Sequence, residues 1–150
     1  MIADAEAGRT SLSVNLQLTR GRHGAAARIE LHERAAGRVA LLALRGWIDL
    51  PAERGLERAL DDLAERAPVQ LVVDGSQLRH IDYRLVPRLV RALERFEAHA
   101  GAFVLCGLSR YLRDLFRLAG GGARLRFWPS AADLLAPPGA AAGAAGERTP

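Results

Sequence analysis

The stretch VQLVVDGSQLRHIDYRLVPRLV (69–90) decides the fold, because its hydrophobic pattern changes from that of a strand to that of a helix. The run VQLVVD (69–74) is short and apolar, which is typical of an inner strand buried on both faces. Further on, apolar residues recur at helical spacing up to Phe96. The Gly-Ser dipeptide after the run predicts a turn. We therefore expect a buried strand, a loop over 75–87 and a helix.

Strand and helix patterns alternate on both sides of this stretch. In chain order they are a hairpin of RIELHE (28–33) and VALLALRG (39–46), a helix over 52–66, the strand and helix above, a strand AFVLCG (102–107), a helix RYLRDLFRLAG (110–120), a short strand RLRFW (124–128) and a helix AADLL (131–135). This order predicts an α/β protein with a mixed, mostly parallel sheet of four to five strands and four helices. Partners of such sheets meet the loops at the carboxyl ends of strands, which singles out 75–87.

Both ends of the chain differ from this central pattern. SLSVNLQLT (11–19) alternates apolar and polar residues, so the N-terminal arm (1–27) contains either an added edge strand or a loose segment. The domain itself spans 28–136. The tail at 137–150 consists largely of Ala, Gly and Pro, and it cannot bury enough apolar surface to fold.

Charge is distributed unevenly along the chain. All 21 basic residues are arginine; residues 1–78 carry ten against eleven acidic residues, while residues 79–126 carry ten against four. An acidic partner is therefore expected to meet the second half. The sequence contains no apolar stretch of membrane-spanning length, and its first residues lack the pattern of a signal peptide. We expect a soluble, cytoplasmic protein.

The residue types that carry catalysis do not form a recognisable arrangement. Cys106 lies in an apolar run, where a thiol is usually a buried core residue. The four histidines lack the paired spacing of metal ligands, so no metal or cofactor is expected. Asp74 and Asp82 are the most suggestive carboxylate pair, but no nucleophile and base accompany them. We expect a protein that is not an enzyme.

Arginines recur along the helix that follows residue 82. Arg84, Arg88, Arg91 and Arg95 fall on one stripe, and Arg110, Arg113 and Arg117 form a second stripe on the next helix. Two interpretations stay open: a solvated helix face, or a surface that receives an acidic protein. Binding of nucleic acid is disfavoured, because no aromatic residues are interleaved with these arginines.

The order and spacing of several motifs resemble the STAS family, the fold of bacterial anti-sigma factor antagonists and of the cytosolic tails of sulfate transporters. GWID (46–49) is similar to the family's Gly-x-Leu-Asp, with Asp49 at its end. Asp74, Ser76 and Asp82 match the family's Asp-Leu-Ser run and its second aspartate. VLCGLSRYLRDLFRLAG (104–120) is similar to the family's later strand, helix and closing Leu-x-Gly. The resemblance covers about residues 28–136.

The resemblance breaks at the family's phosphorylation switch. Where the family has Asp-Ser-x-Gly-Leu, this chain has Asp82, Tyr83, Arg84, Leu85 and Val86. Pro87 disfavours helical geometry at Val86 and predicts a late or distorted first helical turn. Three interpretations of Tyr83 stay open. It is a fixed aromatic residue that covers the loop or contacts a partner, it is itself phosphorylated, or Ser76 has become the phosphorylated residue in its place.

The resemblance implies a non-enzymatic protein-interaction module. Its expected partner is an anti-sigma factor or a kinase-like ATPase regulator, bound through 75–91 without the usual serine switch. The residues predicted to bind the partner or regulate its binding are Asp49, Asp74, Ser76, Asp82, Tyr83, Arg84, Arg88 and Arg91. The alternatives are a small cytoplasmic subunit of an ABC-type lipid transport complex, and a domain that binds a small ligand or nucleotide.

Overall fold

Six strands and four helices follow one another in the computed structural model, which describes residues 9–21, 23–120 and 124–135. The strands are β1 (Thr10–Gln17), β2 (Ala26–Arg34), β3 (Gly37–Ile48), β4 (Gln70–Ile81), β5 (Ala102–Cys106) and β6 (Phe127–Trp128). The helices are α1 (Leu50–Glu65), α2 (Val86–His99), α3 (Arg110–Ala119) and α4 (Ala131–Leu135), with a 3₁₀ turn at Tyr83–Leu85 directly before α2.

The strands form a single sheet in chain order, β1-β2-β3-β4-β5-β6. β1 with β2 and β2 with β3 are antiparallel, while the three remaining pairs are parallel. The predicted α/β class, with a mixed and mostly parallel sheet, is confirmed. The sheet has six strands rather than four or five, because both the N-terminal strand and the two-residue β6 pair with their neighbours.

β3 lies at the centre of the sheet and is apolar on both faces. Ala40, Leu42 and Leu44 belong to the main core, which also contains the buried faces of α1, α2 and α3. On the opposite face, Val39 and Leu41 join a smaller cluster that includes Ala131 of α4. Because successive strand residues point to opposite faces, a strand buried on both sides must be apolar throughout.

β4 is longer than the sequence predicts. Gly75 and Ser76 lie within the strand instead of forming a turn, so the prediction of a loop over 75–87 is wrong for residues 75–81. β5 ends opposite Asp74, and beyond that point β4 continues beside β3 alone until Ile81 lies opposite Ile48. A long neighbouring strand therefore overrides the local turn preference of Gly-Ser, because it supplies hydrogen-bond partners.

Two glycines occupy places where a side chain has no room. Gly46 has φ +85°, and a Cβ there would lie 2.1 Å from the carbonyl oxygen of Gly24. This close approach brings the segment before β2 against the end of β3. Gly101 follows the end of α2, but its φ is not positive and so not of the left-handed kind that favours glycine. It is instead required by contact, since a Cβ would lie 2.0 Å from the carbonyl oxygen of Val69.

The helix ends follow local signals closely. Ser109 caps the start of α3, and its side chain accepts a hydrogen bond from the backbone N–H of Leu112 at 3.2 Å. Gly120 follows the last residue of that helix. Gly121, Gly122 and the tail at 137–150, for which the sequence predicts no fold, lie outside the described residues. None of the helices in the described ranges is long and apolar enough to cross a membrane.

Candidate functional site

The carboxyl ends of β3 and β4 lie side by side and lead into helical turns that begin with aspartates. Asp49 follows β3 and caps α1, with its Oδ1 accepting from the N–H of Ala52 at 3.0 Å. Asp82 follows β4, and its N–H donates to the carbonyl of Ile48 at 3.5 Å. The structure therefore places Asp49 and Asp82 directly after the paired carboxyl ends of β3 and β4.

Asp82 holds the 3₁₀ turn in a fixed conformation. Its Oδ1 accepts the backbone N–H of Arg84 at 2.9 Å, and its Oδ2 forms an ion pair with the guanidinium of Arg84 at 3.1 Å. These hydrogen bonds from Arg84 lower the pKa of Asp82 below its ordinary value. Asp82 and Arg84 thus bind each other, whereas Tyr83 projects outward with 62% of its surface exposed.

The helix after this turn starts earlier than Pro87 would suggest. Val86 has φ −58° and ψ −47°, which is helical, so the prediction of non-helical geometry at this residue is wrong. The predicted distorted first turn is present as the 3₁₀ turn, in which the N–H of Leu85 donates to the carbonyl of Asp82 at 2.8 Å. Pro87 lies in the first turn of α2, where its missing N–H costs no helical hydrogen bond.

Asp74 and Ser76 lie away from this corner, earlier in β4. Asp74 pairs with Cys106 in the sheet, and its Oδ1 accepts the N–H of Ser76 at 2.9 Å. This hydrogen bond lies where β5 ends and β4 continues beside β3 alone. The sequence predicted that the strand ends at Asp74, but Asp74 lies within β4, and seven strand residues separate it from Asp82. The side chain of Ser76 is exposed.

Arg88 does not extend freely from α2. Its guanidinium forms ion pairs with Glu53 at 2.9 Å and with Glu57 at 3.1 Å, both on α1, and Arg95 pairs with Glu57 at 3.2 Å. Half of the predicted arginine stripe thus joins two helices of the same chain. Arg91 is exposed and has no ion-pair partner within the described part of the chain.

Glu53 is the buried member of this ion cluster. Glu53 is fully buried, and its Oε2 accepts no hydrogen bond from the described residues. A buried oxygen without a hydrogen-bond donor favours the protonated form of the carboxyl group. Burial and, after it, the neighbouring Glu57 raise the pKa of Glu53 to about 7. The pKa of Glu57 is lowered, first by its hydrogen bond with Glu53 and then by the arginines. The pair therefore shares one proton near neutral pH.

Four rings form a row beside the aspartate corner. His23 and Trp47 stack with ring centroids 4.4 Å apart, Trp47 meets His80 edge-on at 5.4 Å, and His80 stacks on Tyr111 at 5.9 Å. The Tyr111 hydroxyl and the Nδ1 of His80 are 2.9 Å apart. We call these four residues together with Tyr83 the aromatic corner.

The aromatic corner surrounds an open cavity of about 750 Å³. Ile48, Leu85 and Leu115 supply apolar lining, and Asp49, Asp82 and Arg84 add polar groups. Large apolar side chains here are unusually open to solvent: Trp47 is 43% exposed and Tyr111 is 54% exposed. A cavity with apolar walls and a few polar groups is suited to binding a ligand or a side chain of a partner.

Sequence reasoning found Tyr83 but missed the other members of the aromatic corner. His23, Trp47, His80 and Tyr111 are far apart in the chain; the histidines were considered only as metal ligands, and neither Trp47 nor Tyr111 was predicted to belong to a site. A signal exists in the sheet register, because Trp47 and His80 occupy opposite positions on parallel neighbours. That register includes a shift between Gly46 and Trp47, which the sequence pattern does not reveal.

The thiol of Cys106 is not a nucleophile in this fold. The residue is fully buried in the smaller core cluster. Burial, with a smaller contribution from the charge of Asp74, raises the pKa of the thiol to about 12. Within the described ranges, no group of three or more His, Cys, Asp or Glu side chains is placed to hold a metal ion.

Comparison with solved structures places the fold among STAS proteins. An anti-sigma factor antagonist from Mycobacterium paratuberculosis aligns with a TM-score of 0.58 at 19% identity, covering 77% of this chain and 94% of that one. The anti-sigma factor antagonist SpoIIAA in its unphosphorylated form aligns with a TM-score of 0.53 at 20% identity, covering 67% of this chain and 87% of that one. At these identities the likeness establishes the fold alone.

The family follows from the sequence itself. The family model described as "Mlab, STAS domain" matches residues 31–126, which is more than half of the chain. The chain therefore belongs to this STAS family, as the motifs at 46–49 and 74–82 indicated. None of the curated proteins matches the chain significantly.

Proposed function

We propose that this protein is a non-enzymatic, cytoplasmic interaction module that binds a regulatory partner protein through the aromatic corner and the start of α2. The observation that supports this most directly is the exposure of Tyr83, 62%, on a turn held rigid by Asp82 and Arg84. A rigid aromatic side chain offers a large contact area at little cost in conformational entropy. None of the described residues covers the aromatic corner, so a partner protein can reach it.

Charge around the aromatic corner indicates the chemistry of the partner. Asp82 is neutralised by Arg84, and Asp49 is engaged in capping α1. Arg110 and Arg113 on α3 are exposed and form no ion pair with any described residue. The partner surface is therefore apolar with acidic residues at its rim. We propose an anti-sigma factor, of the kinase-like ATPase type, as that partner.

Binding without a serine phosphoswitch is part of this proposal. Tyr83 occupies the first position of the turn after Asp82, where the STAS resemblance expects the phosphorylated serine. Ser76 has an exposed side chain but lies within β4, away from the helix start. Incubation of the protein with such a kinase and ATP is expected to leave both residues unmodified by mass spectrometry. Phosphate on either one contradicts the loss of the switch.

Substitution of Tyr83 tests the docking surface. After a pull-down identifies the partner, Tyr83→Ala is expected to weaken binding by about 2 kcal/mol, because the complex loses an aromatic side chain that the partner would bury. Trp128→Ala is the matched control, because Trp128 is an aromatic residue with 45% exposure outside the corner. Titration calorimetry measures both variants. Equal affinities for wild type and Tyr83→Ala contradict the proposal.

A second candidate is the small cytoplasmic subunit of an ABC-type lipid transport complex. It is favoured by the same residue, because a permanently assembled subunit has no need of the serine that Tyr83 replaces. Affinity purification of the tagged protein from detergent-solubilised cells distinguishes the two. Recovery of a soluble regulator supports the first candidate, and recovery of a membrane-associated ATPase supports the second.

A further inference from the structure

β1 forms one edge of the sheet, and none of the described residues pairs with its outer side. Its sequence, TSLSVNLQ, contains neither a charged residue nor a proline. Natural edge strands usually carry such residues, because an unprotected edge is a template for pairing with another strand. The register of β1 shifts between Thr10 and Leu12, and the regular part at 12–17, which lacks this protection, is suited to receive a strand.

The outward-facing backbone groups of β1 can be identified from its pairing with β2. The N–H of Leu18 donates to the carbonyl of Ala25 at 2.9 Å, just beyond the regular register from Leu12 to Gln17. Hydrogen-bonded and non-hydrogen-bonded pairs alternate along an antiparallel ladder. Leu12, Val14 and Leu16 therefore bond to β2, and the N–H and C=O groups of Ser13, Asn15 and Gln17 point outward.

The two faces of β1 have different but equally uncharged surfaces. On one face, Leu12 and Leu16 are partly buried against the main core, and Val14 between them is 36% exposed. On the other face, Ser11, Ser13, Asn15 and Gln17 are all exposed. When a second copy of β1 pairs with this strand, apolar residues lie beside apolar residues on one face. On the other face, uncharged polar residues lie beside uncharged polar residues.

We propose that β1 pairs in antiparallel orientation with β1 of a second copy of this chain, about a two-fold axis at Val14. In this register Ser13 lies opposite Asn15 of the partner subunit, so the outward backbone groups of both strands form hydrogen-bonded pairs. Leu12 lies opposite Leu16 of the partner subunit. The two six-stranded sheets become continuous.

A second copy fits this edge better than an unrelated strand does. Because β1 is uncharged, it offers no electrostatic selection for a foreign partner, whereas its register at Val14 is self-complementary on both faces. The pairing is isologous, because it uses the β1 edge of both subunits. It therefore closes as a dimer and does not continue into a filament.

An engineered cysteine tests the register. In the proposed dimer Val14 lies opposite Val14 of the partner subunit as a non-hydrogen-bonded pair, with Cα atoms about 4.5 Å apart, which suits a disulfide. Val14→Cys is therefore expected to form covalent dimers on mild oxidation at low micromolar concentration. Leu118→Cys, at an 87% exposed position on α3, is the control for random collision. The native Cys106 is buried and does not compete. Equal cross-linking of both variants overturns the proposed register.

Charge placed on the edge tests the dimer itself. Light scattering of the wild-type protein is expected to give twice the monomer mass, and Ser13→Lys/Asn15→Lys is expected to give the monomer, because lysines then face each other across the two-fold axis. Gln77→Lys/Ala132→Lys adds the same charge at exposed positions elsewhere and keeps the dimer. Circular dichroism verifies that each variant is folded. A wild-type protein that is monomeric at about 100 µM overturns the proposal, as does a lysine variant that remains dimeric.

Discussion

Glu53 shows how one residue acquires its properties from the fold. On α1 it is one of several acidic residues with nothing in its local sequence to distinguish it. In the structure it is fully buried, and Arg88 of α2 forms an ion pair with it from 35 residues away. Burial disfavours the charged carboxylate more than this partner favours it, so the pKa rises to about 7.

We expect stability to fall as pH rises through the range in which Glu53 loses its proton. The folded pKa lies above the ordinary value of 4.5, so the stabilisation is complete below about pH 4.5 and is lost as pH approaches and passes 7. The loss is on the order of 2 kcal/mol. The lowered pKa of Glu57 acts oppositely, and its stabilisation is lost in acid. Urea unfolding between about pH 5 and about pH 8 measures the slope.

Glu53→Gln is expected to flatten that slope, because the amide keeps an acceptor for Arg88 and cannot ionise. Glu94→Gln is the matched control, since Glu94 is an exposed glutamate on α2 with no ion-pair partner within the described ranges. It is expected to behave like the wild type. An unchanged slope in Glu53→Gln assigns the pH dependence to other groups.

At the scale of elements, the contact between α1 and α2 decides which arginines are available. The sequence places four arginines on one stripe of α2 and its preceding turn, and nothing local separates them. Packing of the two helices uses Arg88 and Arg95 for internal ion pairs, while Arg91 remains exposed. Arg88 therefore has a structural role between the two helices, while the partner-binding roles predicted for Arg88 and Arg91 both stay predictions.

Charge reversal separates these two roles. Arg88→Glu is expected to lower the free energy of unfolding by about 3 kcal/mol, because a third carboxylate then faces the buried Glu53. Arg91→Glu reverses an exposed charge on the same helix and is expected to change stability by less than about 0.5 kcal/mol. Chemical denaturation measures both variants. Equal stability of the two variants contradicts the structural role of Arg88.

At the scale of the whole molecule, the sheet separates two cores of unequal size. The larger lies under α1, α2 and α3, and the smaller is closed by the short helix α4. Cys106 belongs to the smaller core and is fully buried in it. Its thiol therefore reports whether this side of the sheet opens by itself or only with the rest of the fold.

We expect Cys106 to react with a thiol reagent only when the protein unfolds. The raised pKa of about 12 keeps the native thiol protonated, and burial excludes the reagent. Since the chain has a single cysteine, its labelling rate is read directly by absorbance. The rate is expected to follow the global unfolding equilibrium across a denaturant series. Rapid labelling under native conditions indicates independent opening of α4.

The amino-acid sequence by itself determined the element order and the α/β class, because these depend on the periodicity of apolar residues and on signals within a few residues. It also identified Tyr83 as the departure from the family pattern. Only the tertiary structure decided that β4 continues through Gly75, that Arg88 binds Glu53, and that His23, Trp47, His80 and Tyr111 form one row. These features depend on strand register and helix packing between distant segments, for which a single sequence carries no local signal.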